Sequence, residues 1–314
     1  MKNNLYKQDV HTHTNFSDGE NSVIEMSESA IRFSLKSIVI SDHARGWTCN
    51  GNNKLEFFST REKYINYIEQ IKLAKEIYGN RLKIFSGLEV EVAIDESLKL
   101  DKGIIRYCRE NKNIEKLGVD ILLGSIHSES FEEDCKKLKI STRNRRIMLI
   151  NNILNLIKNK DIDILSHPFQ AIHGQFSNNF TKVETEKIIN AFKKEWKCGH
   201  NIFFEINGKK HSRYENWTYN KYEKGELEIN DITFLKIYKI NGGKFALGSD
   251  AHSVQKIAEA DFSIIDKMSL EKSDVFTFYA KKYRKNITTT YERNRILFFR
   301  QIRVRYYFWF LGST

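Results

Sequence analysis

Apolar and polar positions along the chain follow two alternating patterns. Short β-branched, apolar runs end in DVH (9–11), SIVISDH (37–43), KIFSGLEV (83–90), DILLGSIH (120–127), DILSH (163–167), NIFFEIN (201–207) and KFALGSD (244–250). Their length and composition predict strands. Between them the spacing of apolar residues lengthens to that of a helix. Residues 22–36 carry apolar side chains at 23, 24, 26, 30, 31, 33 and 35. Ser59 with Glu62 three residues on predicts a capping box, and a helix running to about Tyr78 before Gly79. Further helices are predicted over 143–158, 183–197 and 231–240, the last ended by Gly242 and Gly243.

Strands alternating with helices define an α/β chain with a parallel sheet. Seven such units favour closure into a distorted (β/α)7 barrel of the TIM type over a small open sheet. Nearly every run ends in His, Asp, Glu or Asn. In a barrel those strand ends converge on one mouth, where catalytic groups gather. The chain has one proline and no Gly/Ser/Pro-rich stretch, so no flexible linker divides it. The expected organisation is a barrel over 1–268 and a basic, aromatic C-terminal extension over 269–314, packing on the barrel or mediating contacts.

Charge sharpens that division. Of the net +11, residues 271–314 supply +7, with ten Lys/Arg against three Asp/Glu. The tail interleaves arginine with Phe, Tyr and Trp in YERNRILFFRQIRVRYYFWF. Such a segment can pack on the barrel, stack on the bases of a nucleic acid, meet a second copy or dock on an anionic membrane surface. Arg300, Arg303 and Arg305 interrupt the most apolar stretch, 296–311, which argues against a membrane span. The N-terminus has no apolar signal region. Cys49, Cys108, Cys135 and Cys198 lie far apart with no paired spacing, as expected of reduced, buried thiols in a cytoplasmic protein.

The chemistry lies at the strand ends. His11 and His13 are alternate residues of one strand, share a face, and so can bind one metal. Asp18 of Ser17-Asp18-Gly19 offers another ligand, although an Asp before Gly also suits an ordinary turn. His43 closes the second strand. Glu89 closes the third, where burial is costly unless the carboxylate is paired or metal-bound; Glu91 shares its face, and Glu89 is the preferred candidate. His127 and His167 end the fourth and fifth strands, the latter held out of helical geometry by Pro168. Asp250 and His252 end the seventh. Six of the nine histidines thus stand at strand ends beside Ser, Gly, Asp or Pro. His173, His200 and His211 lack that context and are read as surface residues.

The ordered set HTH…SDG, SDH, GLE, GSIHS, SHP and GSDAH, over about residues 8 to 265, resembles the PHP (polymerase and histidinol phosphatase) family. The resemblance implies the PHP fold, a distorted (β/α)7 barrel with a trinuclear metal site, and phosphate-ester hydrolysis. It further implies that His11, His13, Glu89 and Asp250 hold one metal, and that Glu89 bridges to a second completed by His127 and His167. Asp18, His43 and His252 would hold the third. Glu89 and Asp250 would then be catalytic through the bound metal. Mixed imidazole and carboxylate ligands suit two or three ions of Zn²⁺, Mn²⁺ or Fe²⁺ without choosing among them.

Paired divalent ions of this kind activate a water and clamp phosphoryl oxygens. A cationic side chain near the mouth would help neutralise phosphate, and Arg45 and Arg213 are candidates. Asn207, in EIN, resembles the family pattern and would position substrate or water; a turn before Gly208 explains it equally well. The leading expectation is a phosphatase acting on a small phosphomonoester, histidinol-phosphate-like or a nucleotide. SDHARG and the GLE-to-GSIHS spacing resemble the PHP domain of bacterial family X DNA polymerases more than histidinol phosphatases. A nuclease or 3′-end-processing phosphodiesterase therefore stands as the alternative, with the basic tail as its nucleic-acid contact. A metal-binding regulatory domain without turnover is the third reading. Residues 209–228, following the sixth strand, depart from both subfamilies and lie where substrate choice is usually decided.

Overall fold

The computed structural model describes residues 7–46, 48–49, 53–54, 56–93, 97–112, 114–176, 179–208, 228–229, 231–259 and 264–276. Seven strands carry the fold: β1 (Gln8–Thr12), β2 (Ser37–Ile40), β3 (Lys83–Val92), β4 (Ile121–Ser125), β5 (Ile164–Leu165), β6 (Phe203–Asn207) and β7 (Phe245–Gly248). They pair in that order, every neighbour parallel. The sheet curls until its two edges nearly meet. At the seam Asp250 N donates to His11 O at 2.9 Å and His13 N donates to Ala251 O at 2.9 Å. The result is an almost closed seven-stranded α/β barrel, whose seam ties the residues after β7 to the end of β1.

The helices are α1 (Val23–Arg32), α2 (Arg61–Tyr78), α3 (Lys102–Glu110), α4 (Ser128–Lys137), α5 (Thr142–Lys158), α6 (Pro168–Phe176), α7 (Lys182–Lys197), α8 (Asp231–Ile240) and the short α9 (Val254–Glu259) and α10 (Ile264–Lys267). Ser22 caps α1 in a reciprocal box with Glu25, which satisfies two amides that a helix start leaves without partners. At α2 the cap is Thr60, whose side chain accepts from Lys63 N, one residue later than the expected Ser59–Glu62 box. The extended backbone of Thr60 makes Lys63 the third helical residue, so Glu62 is out of reach of a reciprocal bond. Thr181 and Glu184 form a second reciprocal box at the start of α7.

Apolar faces of the helices pack on the outside of the barrel in one continuous core. On α5, Ile153, Leu156 and Ile157 are fully buried, and truncating one such leucine costs about 2–5 kcal/mol. The compact unit runs to Phe276, whose amide donates to Phe245 O at 2.7 Å. Residues 277–314, including the aromatic tail, lie outside the described residues. Among the described residues no helix is long and apolar enough to cross a membrane. Cys135 is buried as expected, Cys108 half-buried and Cys198 exposed, so the last is not the small core residue its composition suggested.

Candidate metal centre

At the C-terminal mouth of the barrel, the strand ends bring together the nine residues read as ligands from the sequence. Glu89, 2% exposed, is the hub; it is the seventh residue of the ten-residue strand β3, which runs on to Val92 and so does not close at Glu89 as expected. Its Oε1 lies 2.8 Å from His167 Nε2 and 3.2 Å from His127 Nε2. Its Oε2 faces a second group, 2.9 Å from His43 Nδ1, 3.5 Å from His11 Nε2 and 3.6 Å from His13 Nε2. Asp250 Oδ1 approaches His13 Nε2 at 3.3 Å. Asp18 stands nearer the rim, its carboxylate 3.1 Å from His252 Nε2 and 3.5 Å from His43 Nε2.

Local backbone accounts for several of these placements. His167 has φ 29° and Asp250 φ 54°, the left-handed region that residues with a side chain seldom occupy. Each sits in the first turn past its strand, which aims the side chain back over the mouth. Such strain concentrates at functional sites. Pro168, immediately after His167, opens α6 at the first helical position, where a missing amide costs nothing. Gly19 lets the loop after β1 fold back on itself, since a Cβ there would stand 2.6 Å from the carbonyl carbon of His13. Asp42, fully buried, accepts Thr14 N at 2.8 Å and Thr14 Oγ1 at 2.7 Å, which fixes the turn that carries Asp18.

Two further carboxylates stand behind the histidines. Glu205 Oε1 lies 2.8 Å from His11 Nδ1, and Glu91 Oε1 lies 2.8 Å from His127 Nδ1. The alternation rule placed Glu91 on the face of Glu89. Glu205 went unremarked, although an acid near the end of the apolar run NIFFEIN carries the signal that identified Glu89.

The electrostatics follow from this crowding. Burial alone would raise Glu89, but His127, His43 and His11 outweigh it and hold its carboxyl well below the usual range. Burial opposes charge on His11 too, yet Glu205, Glu89 and Asp250 push it well above the ordinary histidine value. His13, buried and beside His43 and His252, is pushed well below that value. Burial lifts Asp42 to about 6 against the hydrogen bonds from Ser17 and Thr14. Glu91 is brought down to about 2 because His127 and Lys99 outweigh its burial.

A cleft of about 300 Å³ opens over this cluster, floored by Asp18, His43, His127, His167, Asp250 and His252. Arg45 lines its wall, Nη2 3.6 Å from Glu133. Asn207 ends β6 in register with Gly248 and is not among the described residues that line the cleft. Arg213 lies outside the described residues, as does His211. His173 and His200 are not surface residues as read from the sequence but buried ones. His173 Nε2 pairs with Asp231 at 3.0 Å, and His200 Nε2 bonds Ile162 O at 2.9 Å. Both partners are remote in sequence, so nothing local announced them.

The PHP domain family model matches residues 9–209 of the 314. The chain belongs to the PHP domain family. A curated relative from Thermoanaerobacter sp. strain X514, described as a probable phosphatase, is 29% identical over 78% of each chain. The DNA polymerase/3′-5′ exonuclease PolX of Bacillus subtilis is 23% identical over 80% of this chain but only 35% of its own length. Among solved structures, a histidinol phosphate phosphatase from Lactococcus lactis, complexed with zinc, L-histidinol and phosphate, superposes with a TM-score of 0.54. It is 16% identical, over 84% of this chain and 94% of that one, a likeness of fold.

The side chains of this PHP domain fit divalent cations. Among the described residues, four overlapping groups of His, Asp and Glu place their donor atoms within 4.8 Å of one another: His13–Asp18–His43–His252, His11–His13–Asp250, His11–His167–Glu205 and His43–Glu89–His127. The buried Nδ1 atoms of His13 and His167 make no hydrogen bond. His11 Nε2 and His13 Nε2 face each other at 3.0 Å, two nitrogens of which only one can supply the proton between them. Nitrogen and oxygen donors aimed at common points are what a borderline divalent ion requires.

Proposed function

We propose that this PHP domain protein is a metal-dependent phosphatase that hydrolyses a small phosphomonoester, histidinol-phosphate-like or a nucleotide. The observation that carries the reading is Glu89, whose two oxygens each face a separate set of imidazole nitrogens within 3.6 Å. His11, His13, Glu89 and Asp250 would hold one ion, Glu89, His127 and His167 a second, and Asp18, His43 and His252 a third. The ions would be Zn²⁺, Mn²⁺ or Fe²⁺, and two or three per chain. When bound, such cations lower the pKa of water towards neutrality and stabilise charge on the phosphoryl oxygens.

The protein's own groups do the rest. Burial of Glu89 and Asp250 keeps bulk water from competing for their oxygens. Arg45 offers a guanidinium on the cleft wall, where it meets a phosphoryl oxygen once Glu133 yields it. Arg213 is the second proposed phosphate contact, and Asn207 would touch only a substrate that reaches past the described lining of the cleft. A cleft of about 300 Å³ suits a small molecule. The likeness to PolX supports a second reading, a phosphodiesterase acting on DNA or RNA, with the basic tail as its contact.

One assay separates the readings. Chelator-stripped protein is given Mn²⁺, Zn²⁺, Fe²⁺ or Mg²⁺ singly and tested on p-nitrophenyl phosphate and bis-p-nitrophenyl phosphate. Monoester turnover dependent on added metal is expected. Diester turnover in excess of monoester would move the assignment to the phosphodiesterase. Inactivity on both, in protein that binds ions, would leave the regulatory reading.

A further inference from the structure

Glu205 stands behind the histidines, and both of its oxygens are engaged. Oε1 lies 2.8 Å from His11 Nδ1, with both side chains fully buried. Oε2 accepts Ser166 Oγ at 2.7 Å and the backbone amide of His167 at 2.7 Å. A carboxylate facing Nδ1 fixes the imidazole tautomer. The proton on Nδ1 is the one held, so that Nε2 is the nitrogen that would give up its own proton and offer a lone pair to a cation. On His11, that nitrogen faces Glu89 Oε2. The amide that Oε2 accepts belongs to the residue with φ 29°, and a buried charged hydrogen bond offsets the cost of that conformation. The His167 imidazole so placed faces Glu89 Oε1. One carboxylate therefore braces ligands on both sides of Glu89, and the His11 and His167 rings stand nearly parallel, 5.5 Å apart.

We propose that Glu205 is a positioning residue that aims His11 and His167 together, and that it sets the cation affinity of both groups without binding an ion itself. The inference rests on the reading of His11 and His167 as ligands. Glu205 is a brace and not a ligand because its two oxygens are already turned to His11 Nδ1, Ser166 and the His167 amide.

The test titrates Mn²⁺ or Zn²⁺ into stripped wild-type and Glu205→Gln protein against a competing indicator, with ion counts at saturation and melting of the stripped proteins. Gln keeps the size of Glu, but its amide satisfies either the His11 tautomer or the His167 amide, not both. Expected are the wild-type ion count, affinity weaker by about 10–100-fold, and a melting temperature of the stripped protein within about 4 °C of wild type. Unchanged affinity would overturn the proposal, as would loss of one ion per chain, which would make Glu205 a ligand. A weaker affinity matched by a large fall in melting temperature would also overturn it, reducing Glu205 to scaffold. If Glu205→Gln does not fold, Ser166→Ala removes one tether of the carboxylate, and a threefold or greater loss of affinity is expected, with no change overturning the proposal. A wild-type protein that binds no cation sinks the metal reading as well, whereas wild-type binding with unaltered Glu205→Gln affinity sinks this proposal alone.

Discussion

Two buried histidines at opposite ends of the barrel each stand beside a buried glutamate, and they differ in what the second ring nitrogen meets. At the mouth, His11 gives Nδ1 to Glu205 at 2.8 Å, while Nε2 looks onto His13 Nε2, Glu89 and Asp250. At the base, His200 gives Nε2 to the carbonyl of Ile162 at 2.9 Å and has Nδ1 3.4 Å from Glu195. Both nitrogens of His200 are therefore occupied by the protein itself. Burial is the largest influence on each ring and lowers both; the carboxylates around His11 reverse it, and those around His200 do not. On the proposed reading, a buried imidazole whose outer nitrogen faces other acceptors and imidazoles would hold a cation, whereas one closed on backbone holds the fold.

The contrast breaks most severely at Glu89. Glu89→Ala should abolish turnover and remove at least one bound cation per chain, measured by metal analysis of protein purified alongside wild type. The stripped variant should still fold, since the buried charge it deletes is stabilised by partners the barrel does not need for closure. Full activity with a wild-type ion count would end the site assignment.

A smaller effect is expected at Gly248. A Cβ there would press on Glu205 Oε1 and stand 2.6 Å from His11 Cβ. Gly248→Ala should therefore push the brace off His11 and weaken cation binding by about 10-fold or more, at a stability cost of about 1–3 kcal/mol. Chelator competition with denaturant unfolding checks both, and an unchanged affinity would show that the brace has slack.

Much of this was legible in the chain before folding. The strand ends stood out because a polar residue closing an apolar run has few ordinary explanations, and a parallel barrel gathers such ends in one place. His11, His43, Glu89 and His127 were singled out in that way, and the fold brings their side chains together. Glu205 obeyed the same rule, but Asn207 two residues on drew the reading to substrate contact. His173 and His200 could not have been found, because Asp231 and the Ile162 carbonyl reach them only through tertiary packing. The cap of α2 was misplaced by one residue because Ser59 and Thr60 are both good caps and only backbone conformation separates them.

The smallest expected effect tests the base of the barrel. Burial lowers the His200 pKa below its ordinary value of 6.5, and the bonds to Ile162 and Glu195 do not restore it. The folded protein thus holds a neutral ring at pH values where the unfolded chain takes up a proton. The sign follows from linkage: this contribution is fully present above about pH 6.5 and is lost as pH falls towards the folded value. His200→Asn removes the titrating group, so its stability relative to wild type should improve on going from about pH 7 to about pH 5. At about pH 7 it should be the less stable protein by about 1–2 kcal/mol, through the lost bond to Ile162. Its cation count and affinity should match wild type, because neither nitrogen of His200 is turned to the mouth. A fall in cation affinity in His200→Asn would show that the two ends of the barrel are coupled, and the distinction between a histidine that holds a cation and one that holds the fold would fail.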